Sequence, residues 1–166
     1  MADITQKITP FLWFDKEAEE AMKFYTSIFK DGKIVSIQYY PEGSTEEHLK
    51  GMEGKVLTGV FEIAGQRFMA LDGGPYFKFN EAISFYVECD GQEEVDYFWE
   101  KLSAVPESEQ CGWLKDKYGV SWQIVPKQMG ELLSSPDKEK ASRATQAMLQ
   151  MKKIDLAKLQ DAYDVK

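Results

Sequence analysis

Several segments of this chain place hydroxyl, amide and aromatic side chains at every second position, which is the spacing of one strand face. Rings beside a few hydrogen-bonding groups suit a flat or partly apolar small molecule. The alternative is that the aromatic rings pack against one another and fill the cavity that such a molecule would occupy, as side chains do in small barrels. Alternation groups Thr9, Phe11 and Trp13, then Ser84, Tyr86 and Glu88, then Ser121, Gln123 and Val125.

Glu88 is the one acidic side chain in these groups. A carboxylate that faces an apolar cavity has a raised pKa, because burial disfavours its charged form. Such a carboxylate can serve as a general base. The alternative position is the mouth of the cavity, where water solvates the carboxylate fully. Glu88 is therefore a weak candidate for a catalytic residue.

The first half of the chain predicts one helix and four strands in the order βαβββ. Apolar residues recur at steps of three and four over 17–30, and Asp31-Gly32 supplies the stop. Ala64-Gly65-Gln66 separates two apolar runs and predicts a hairpin that turns on Gly65. The strands are predicted at 8–14, 33–40, 56–63 and 67–71, with a polar loop over 41–54.

The second half repeats the order in a shorter form, after a break at Gly73-Gly74-Pro75. The pattern predicts a strand at 83–88, a helix at 91–104 and strands at 113–114 and 120–125. Two copies of a small unit are expected to pair their sheets, and the junction is a natural place for a pocket. Beyond residue 126, a helix is predicted from the Ser135-Pro136-Asp137 signal to about residue 152, and a short one after Asp155.

Composition and charge exclude several classes of partner. A net charge of −8 on 166 residues leaves no basic stripe for nucleic acid. No apolar run approaches the roughly 20 residues of a membrane span, and the N-terminal segment lacks the core of a signal peptide, so a cytoplasmic protein is expected. Cys89 and Cys111 lack metal-ligand spacing and predict packed, reduced thiols.

Four segments in order resemble the PhnB-like proteins of the vicinal oxygen chelate superfamily, which includes glyoxalase I, extradiol dioxygenases and bleomycin-resistance proteins. These segments are 8–15, 73–80, 92–96 and 111–126, and the tail at 151–155 matches as well. The resemblance implies an α+β fold in which paired βαβββ modules form an open, barrel-like sheet around a cavity, usually in a homodimer. The expected domain is 1–127, with modules at about 7–74 and 75–127, followed by a C-terminal helical extension at 128–166.

The resemblance also implies which residues line the cavity and which could bind a metal. The Leu12-x-Phe14 match assigns those two side chains to the helix side of the sheet, so Thr9, Phe11 and Trp13 face the cavity. Metalloenzymes of the superfamily carry His, Glu or Gln at four positions. The matching positions here are Thr9 or Pro10, Met69 or Ala70, Ser84, and Gln123.

Only Gln123 among these residues is a normal ligand, and one neutral amide with hydroxyls cannot displace enough coordinated water from a divalent metal. A canonical metal site is therefore disfavoured, and no other cofactor is expected. The nearest alternative set is His48 with Asp72 and Glu88, which requires a rearrangement of the 41–54 loop.

Two function classes follow, and the sequence leaves both open. The first is a binding protein that holds a small organic molecule in the cavity between the modules without a metal. The second is a glyoxalase-like lyase or isomerase, with Glu88 as base or with unusual metal ligands. Members of this family are often labelled 3-demethylubiquinone 3-methyltransferase, but the chain lacks the glycine-rich turn and the βαβ units of common methyltransferases.

Overall fold

The structure is a computed structural model that describes residues 6–43 and 45–165. The chain divides into two compact units, Met1–Lys78 and Phe79–Lys166. The predicted extension therefore lies inside the second unit, and its last residue, Lys166, is outside the described residues. The fold class is α+β, as predicted, with one small mixed sheet in each unit and no closed barrel among the described residues.

The first unit has the predicted order βαβββ. Its elements are β1 (Phe11–Phe14), α1 (Ala18–Ile28), β2 (Lys33–Tyr39), β3 (Val56–Ile63) and β4 (Gln66–Asp72). The sheet order is β1-β4-β3-β2, in which β1 runs parallel to β4 and the other pairs are antiparallel. A single 3-10 turn, Glu47–Leu49, interrupts the described part of the predicted loop.

Helix α1 covers one face of this sheet because its apolar residues recur at helical spacing. Ala18, Ala21, Met22 and Tyr25 are all at most 1% exposed. The buried carboxylate of Asp72 holds the start of the helix, since Oδ1 accepts the Ala18 N–H at 2.8 Å and Oδ2 accepts the Val56 N–H at 2.9 Å. One side chain thus joins the ends of β4, α1 and β3.

The predicted hairpin forms between β3 and β4, with a two-residue turn at Ala64-Gly65. Both turn residues have positive φ, 48° and 69°, as a turn that matches the twist of the strands requires. Asp31 accepts their N–H groups at 2.8 and 2.7 Å, and these hydrogen bonds lower the pKa of the Asp31 carboxyl. Gln66, which we predicted in the turn, begins β4.

The second unit repeats this pattern with one strand fewer. It contains β5 (Ser84–Cys89), α2 (Gln92–Leu102), β6 (Trp113–Lys115) and β7 (Ser121–Pro126). The order β5-β7-β6, with β5 parallel to β7, matches β1-β4-β3 of the first unit. A 3-10 turn, Pro106–Ser108, and one isolated bridge stand between α2 and β6, where the first unit has β2.

Three helices follow β7: α3 (Lys127–Leu133), α4 (Lys138–Leu149) and α5 (Leu156–Asp164). Asp137 and Asp155 cap α4 and α5 as their sequence signals predicted. Helix α3 was missed because it has only seven residues and carries Gly130 at its centre, where glycine costs about 1 kcal/mol relative to alanine.

The extension is fastened to the second unit through backbone groups. The side chain of Gln92 donates to the Ile154 carbonyl at 3.0 Å and accepts the Leu156 N–H at 2.9 Å. The N–H groups of Cys111 and Gly112 donate to the carbonyls of Met151 and Lys152, both at 2.8 Å. Across the described ranges, none of the helices has the length and apolar character needed to span a membrane.

Candidate ligand-binding faces

One face of the β5-β7-β6 sheet collects the polar residues that the sequence grouped on separate strands. Alternation along each strand and the register between strands produce two rows of side chains. The first row is Ser84, Ser121 and Lys115, and the second row is Tyr86, Gln123 and Trp113. The pattern predicted from the sequence therefore brings Ser84, Tyr86, Ser121 and Gln123 together on one surface.

A hydrogen bond joins the two rows. The Gln123 amide donates from Nε2 to Ser84 Oγ at 2.9 Å. Because Ser84 accepts in this bond, its own hydroxyl proton stays available, and so does the Gln123 carbonyl oxygen, which accepts no hydrogen bond from the described residues. Both side chains are half-buried. This pair therefore leaves one donor and one acceptor available on the face.

Ser121 lies between Ser84 and Lys115 and is 2% exposed. Its Oγ is fully buried and has no hydrogen-bond partner within 6–43 and 45–165. An unpaired buried hydroxyl costs about 1–3 kcal/mol of folding free energy. The next residue, Trp122, points to the opposite side of the sheet. The unpaired Ser121 hydroxyl therefore lies on the side that carries Gln123.

Tyr86 and Glu88 extend this face toward solvent. Tyr86 is 56% exposed, and Glu88 is exposed as well. Partial burial raises the pKa of the Tyr86 hydroxyl, and the negative charge of Glu88 adds to the shift. Tyr86 thus stays protonated at neutral pH and can donate a hydrogen bond. The exposed position of Glu88 corresponds to the solvated alternative, although its role as a base remains a prediction.

Two members of the face were missed by the sequence analysis. Trp113 pairs with Gln123, and Lys115 pairs with Ser121, so both side chains lie on the polar face. The signal was present, since 113 and 115 alternate with the buried Leu114. The register of β6 against β7, which decides the row that each side chain joins, does not follow from this alternation. Lys115 also forms a short ion pair with Glu81, which lowers the pKa of that carboxyl.

Asp116 fixes the turn that sets this register. The residue is 1% exposed, and its Oδ1 accepts the N–H groups of Tyr118 and Val120 at 2.9 and 3.0 Å. Its Oδ2 accepts the indole N–H of Trp122 at 2.9 Å. The segment 116–119 forms the tight turn between β6 and β7, and the Asp116 carboxylate aligns the two strands.

The first unit has an aromatic face of its own. Phe11 is beside Met69, and Trp13 is beside Leu71, on the side of the sheet opposite the buried Leu12 and Phe14. Of the two alternatives at the fourth strand, Met69 is half-buried on this face, whereas Ala70 is fully buried on the helix side. Phe11 and Trp13 thus lie on the side of β1 opposite Leu12 and Phe14, as predicted.

The prediction that Thr9 belongs to the first strand is wrong, because β1 begins at Phe11. Pro10 has no N–H to donate, and its carbonyl accepts the Met69 N–H at 2.9 Å where the ladder starts. Thr9 is half-buried before the strand. It is therefore not held in the row that contains Phe11 and Trp13.

Trp13 is held from one side by the segment that follows β4. Its indole N–H donates to the Gly74 carbonyl at 2.9 Å, and its ring meets Phe77 edge-on with centroids 4.9 Å apart. A Cβ on Gly73 would lie 2.1 Å from the Trp13 ring, so glycine is required for this contact. The ring is consequently fixed in position rather than free to rotate.

Comparisons with known proteins identify the family. A family model described as 3-demethylubiquinone-9 3-methyltransferase matches residues 6–125. The chain belongs to this family of PhnB-like proteins. The resemblance found from four motifs is therefore confirmed, and helices α3, α4 and α5 lie beyond the matched residues.

Solved structures agree with this assignment. A Bacillus cereus protein named as a candidate 3-demethylubiquinone-9 3-methyltransferase and PhnB protein is 44% identical, with a TM-score of 0.61, over 73% of this chain and 99% of its own. The protein PA1353 from Pseudomonas aeruginosa is 19% identical, with a TM-score of 0.58, over 74% and 98% of the two chains. The second likeness concerns the fold alone. No curated protein matches the chain.

The site positions of this PhnB-like chain do not fit a divalent metal. Gln123 and Ser84 bond to each other and offer only neutral oxygens, and Met69 offers a thioether, whereas hard divalent cations take several oxygen ligands, commonly carboxylates. No group of three or more His, Cys, Asp or Glu side chains in the described ranges could hold a metal.

In the alternative ligand set of His48, Asp72 and Glu88, the Asp72 carboxylate is already bonded to the backbone. Both carboxylate oxygens of Asp72 accept buried backbone N–H groups, so a metal would have to break the contact between α1, β3 and β4. The His48 side chain is 74% exposed and lies 3.9 Å from Glu46. The structure gives the PhnB-like chain no cluster of His48 with Asp72.

The two cysteines are free thiols. Cys89 is fully buried, and burial raises the pKa of its thiol to about 12, with the charge of Glu94 adding to the shift. A thiol with this pKa is neutral and unreactive at physiological pH. Cys111 is half-buried with a φ of 51°, and its N–H fastens the extension.

Proposed function

We propose that this PhnB-like protein binds a small, flat organic molecule that carries an oxygen acceptor, on the β5-β7-β6 face and without a metal. One observation carries the proposal. The buried Ser121 hydroxyl, which has no partner among the described residues, lies in register between Ser84 and Lys115. A ligand oxygen that reached this row would supply the hydrogen bond that the described residues do not.

The first row supplies hydrogen-bond donors in excess of its acceptors. Ser84 accepts from Gln123 and keeps its proton, Ser121 keeps its proton, and the Lys115 ammonium has protons beyond the one that contacts Glu81. A carbonyl or carboxylate oxygen is the group that such a row favours. The Gln123 carbonyl oxygen remains as an acceptor for a hydroxyl or N–H on the same ligand.

The second row favours a flat partner. Tyr86 and Trp113 stand on either side of Gln123, and aromatic side chains bind flat, partly apolar molecules at low cost in side-chain entropy. The Phe11, Trp13 and Met69 face of the first unit offers the same chemistry. The expectation that the cavity lies between the two modules remains a prediction, as do the homodimer and the cytoplasmic location.

The description of the matching family model names methyl transfer, and that name is the reason to consider this activity for the chain. A common methyltransferase uses a glycine-rich turn after its first strand, whereas β1 is followed here by Asp15-Lys16-Glu17. Each parallel pair, β1 with β4 and β5 with β7, is joined through further strands rather than through a helix alone. The remaining alternative from the sequence is a glyoxalase-like lyase or isomerase, with Glu88 as a base or with unusual metal ligands.

Binding of acetophenone and of ethylbenzene, measured by ligand-observed NMR titration, tests the proposal. The two probes share a ring and differ in the carbonyl oxygen. We expect acetophenone to saturate one site and ethylbenzene to bind at least about tenfold more weakly, because the donor row rewards only the carbonyl.

The variants Ser84→Ala and Gln123→Leu test, in the same titration, whether acetophenone binds to this face. Each substitution removes part of the polar pair, so each should lower acetophenone affinity by about two- to tenfold. Ser134→Ala, at an exposed serine after α3, is the matched control and should leave affinity unchanged. Equal affinity in wild type, S84A and Q123L would remove the assignment to this face.

A further inference from the structure

A cavity lies in the helical extension, between the end of α4 and the start of α5. Its volume is about 550 Å³, within the range of small-molecule sites. Ala147 and Met151 supply apolar surface, and Lys152, Lys153, Asp155 and Lys158 supply the charged surface. All of these residues belong to the second unit, and none of them belongs to the β5-β7-β6 face.

The charge of this cavity is opposite to that of the chain. Three lysines face a single aspartate in its lining, whereas the whole protein carries a net charge of −8. Residues 127–166 contain eight basic and six acidic side chains, so the positive balance is confined to the extension. A locally positive cavity on an acidic protein favours an anion over a neutral or cationic molecule.

Two of the lysines are only loosely paired. Lys158 Nζ lies 3.6 Å from Asp155, and Lys152 Nζ lies 3.8 Å from Glu109, both beyond ordinary hydrogen-bond distance. Lys152 Nζ also makes a long contact of 3.5 Å with the Pro106 carbonyl. These two ammonium groups can therefore turn to an anion without losing a strong hydrogen bond.

The remaining charges are already committed. Lys153 pairs with Asp96 at 2.5 Å, which lowers the pKa of that carboxyl. Asp155 caps α5 by accepting the Lys158 N–H at 3.1 Å, so its negative charge serves the helix start. An anion would face Asp155 at one side, and the N-terminal end of the nine-residue α5 offsets part of that repulsion.

We propose that this cavity binds a small amphipathic anion, with a phosphate or carboxylate head at Lys152 and Lys158 and a short apolar tail against Ala147 and Met151. The site lies beyond residues 6–125, which the family model matches, so it is specific to the extension. It does not depend on the function proposed for the β5-β7-β6 face.

Isothermal titration calorimetry of the full chain with hexyl phosphate, hexanoate and hexanol tests this site. We expect both anions to bind saturably and hexanol to bind at least about tenfold more weakly, because the head group contributes charge-assisted hydrogen bonds. Anion affinity should fall as salt is raised, since both ammonium groups are exposed. Which anion binds more tightly decides between a phosphate and a carboxylate head.

Variants that remove the positive charge of one lysine test where the anion binds. Lys152→Gln and Lys158→Gln should each weaken hexyl phosphate binding by about tenfold, at unchanged melting temperature. Lys138→Gln, the same change at an exposed position on α4, should leave binding within about twofold of wild type. Equal affinity in K152Q, K158Q and wild type would overturn the proposal, as would hexanol binding as tightly as hexyl phosphate.

Discussion

Ser121 shows the conflict between stability and binding at the scale of one side chain. Its neighbours on β7, Trp122 and Ile124, are buried as well, and the indole N–H of Trp122 donates to Asp116. Its own hydroxyl is buried and lacks a partner within the described residues. A residue retained at such a cost is expected to serve a purpose other than the stability of the free protein.

Ser121→Ala should therefore make the free protein more stable. Alanine has nearly the same shape and removes the unpaired hydroxyl, so the free energy of unfolding should rise by about 1–3 kcal/mol in urea denaturation. The same variant should bind acetophenone more weakly, because one donor of the first row is lost.

Ser134→Ala is again the matched control, with an expected change within about 0.5 kcal/mol. A loss of stability in S121A would mean that Ser121 has a partner in the free protein. A gain in stability with unchanged acetophenone affinity would mean that the hydroxyl takes no part in binding.

The candidate face shows what alternation can and cannot predict. It grouped Ser84 with Tyr86, and Ser121 with Gln123, because period two is fixed by strand geometry. It could not place β6 beside β7 in register, since that depends on how Asp116 closes the turn, and so Trp113 and Lys115 were missed. Thr9 was misassigned because Pro10 limits where the ladder begins.

At the scale of elements, Gln92 connects the extension to α2. It is the first residue of α2, and its amide satisfies two backbone groups of the segment before α5, at Ile154 and Leu156. Ile154 is fully buried, so the connection combines an apolar anchor with a polar one. The cavity in the extension depends on this attachment, because most of its lining residues lie between 151 and 158, on either side of Ile154.

Gln92→Ala should loosen the extension without unfolding the sheet. The Ile154 carbonyl and Leu156 N–H lose their partner, which costs about 1–3 kcal/mol where water cannot replace it. Hydrogen exchange measured by mass spectrometry should become faster over 154–164 and stay unchanged over β7.

Gln146→Ala, an exposed glutamine on α4, is the control and should not alter exchange in either segment. Uniformly faster exchange in Q92A, including β7, would show that Gln92 supports the whole unit. Exchange as slow as in the wild type would show that the apolar anchor at Ile154 is sufficient.

The elements themselves were largely predictable. Helices α1 and α2 and the β3-β4 hairpin follow from periodicity and from Gly65, and the caps at Asp137 and Asp155 follow from helix-start signals. The second sheet lacks a counterpart of β2, and α3 is present where no signal was recognised. Both depend on packing inside the second unit, which a local pattern does not contain.

At the scale of the whole molecule, two related units carry different surfaces. The first presents Phe11, Trp13 and Met69, and the second presents Ser84, Tyr86 and Gln123. The family match covers both sheets and ends before the extension. Uncharged side chains stand where the resemblance places metal ligands, which fits the binding that we propose through hydrogen bonds and aromatic contacts.

Native mass spectrometry of freshly purified protein, prepared without chelator, tests this central claim most directly. It reports bound metal, retained organic molecules and subunit number in one spectrum. We predict an organic adduct on the wild type, a smaller adduct population on Q123L, and no stoichiometric divalent metal. A stoichiometric metal ion, or an adduct retained equally by Q123L, would contradict it.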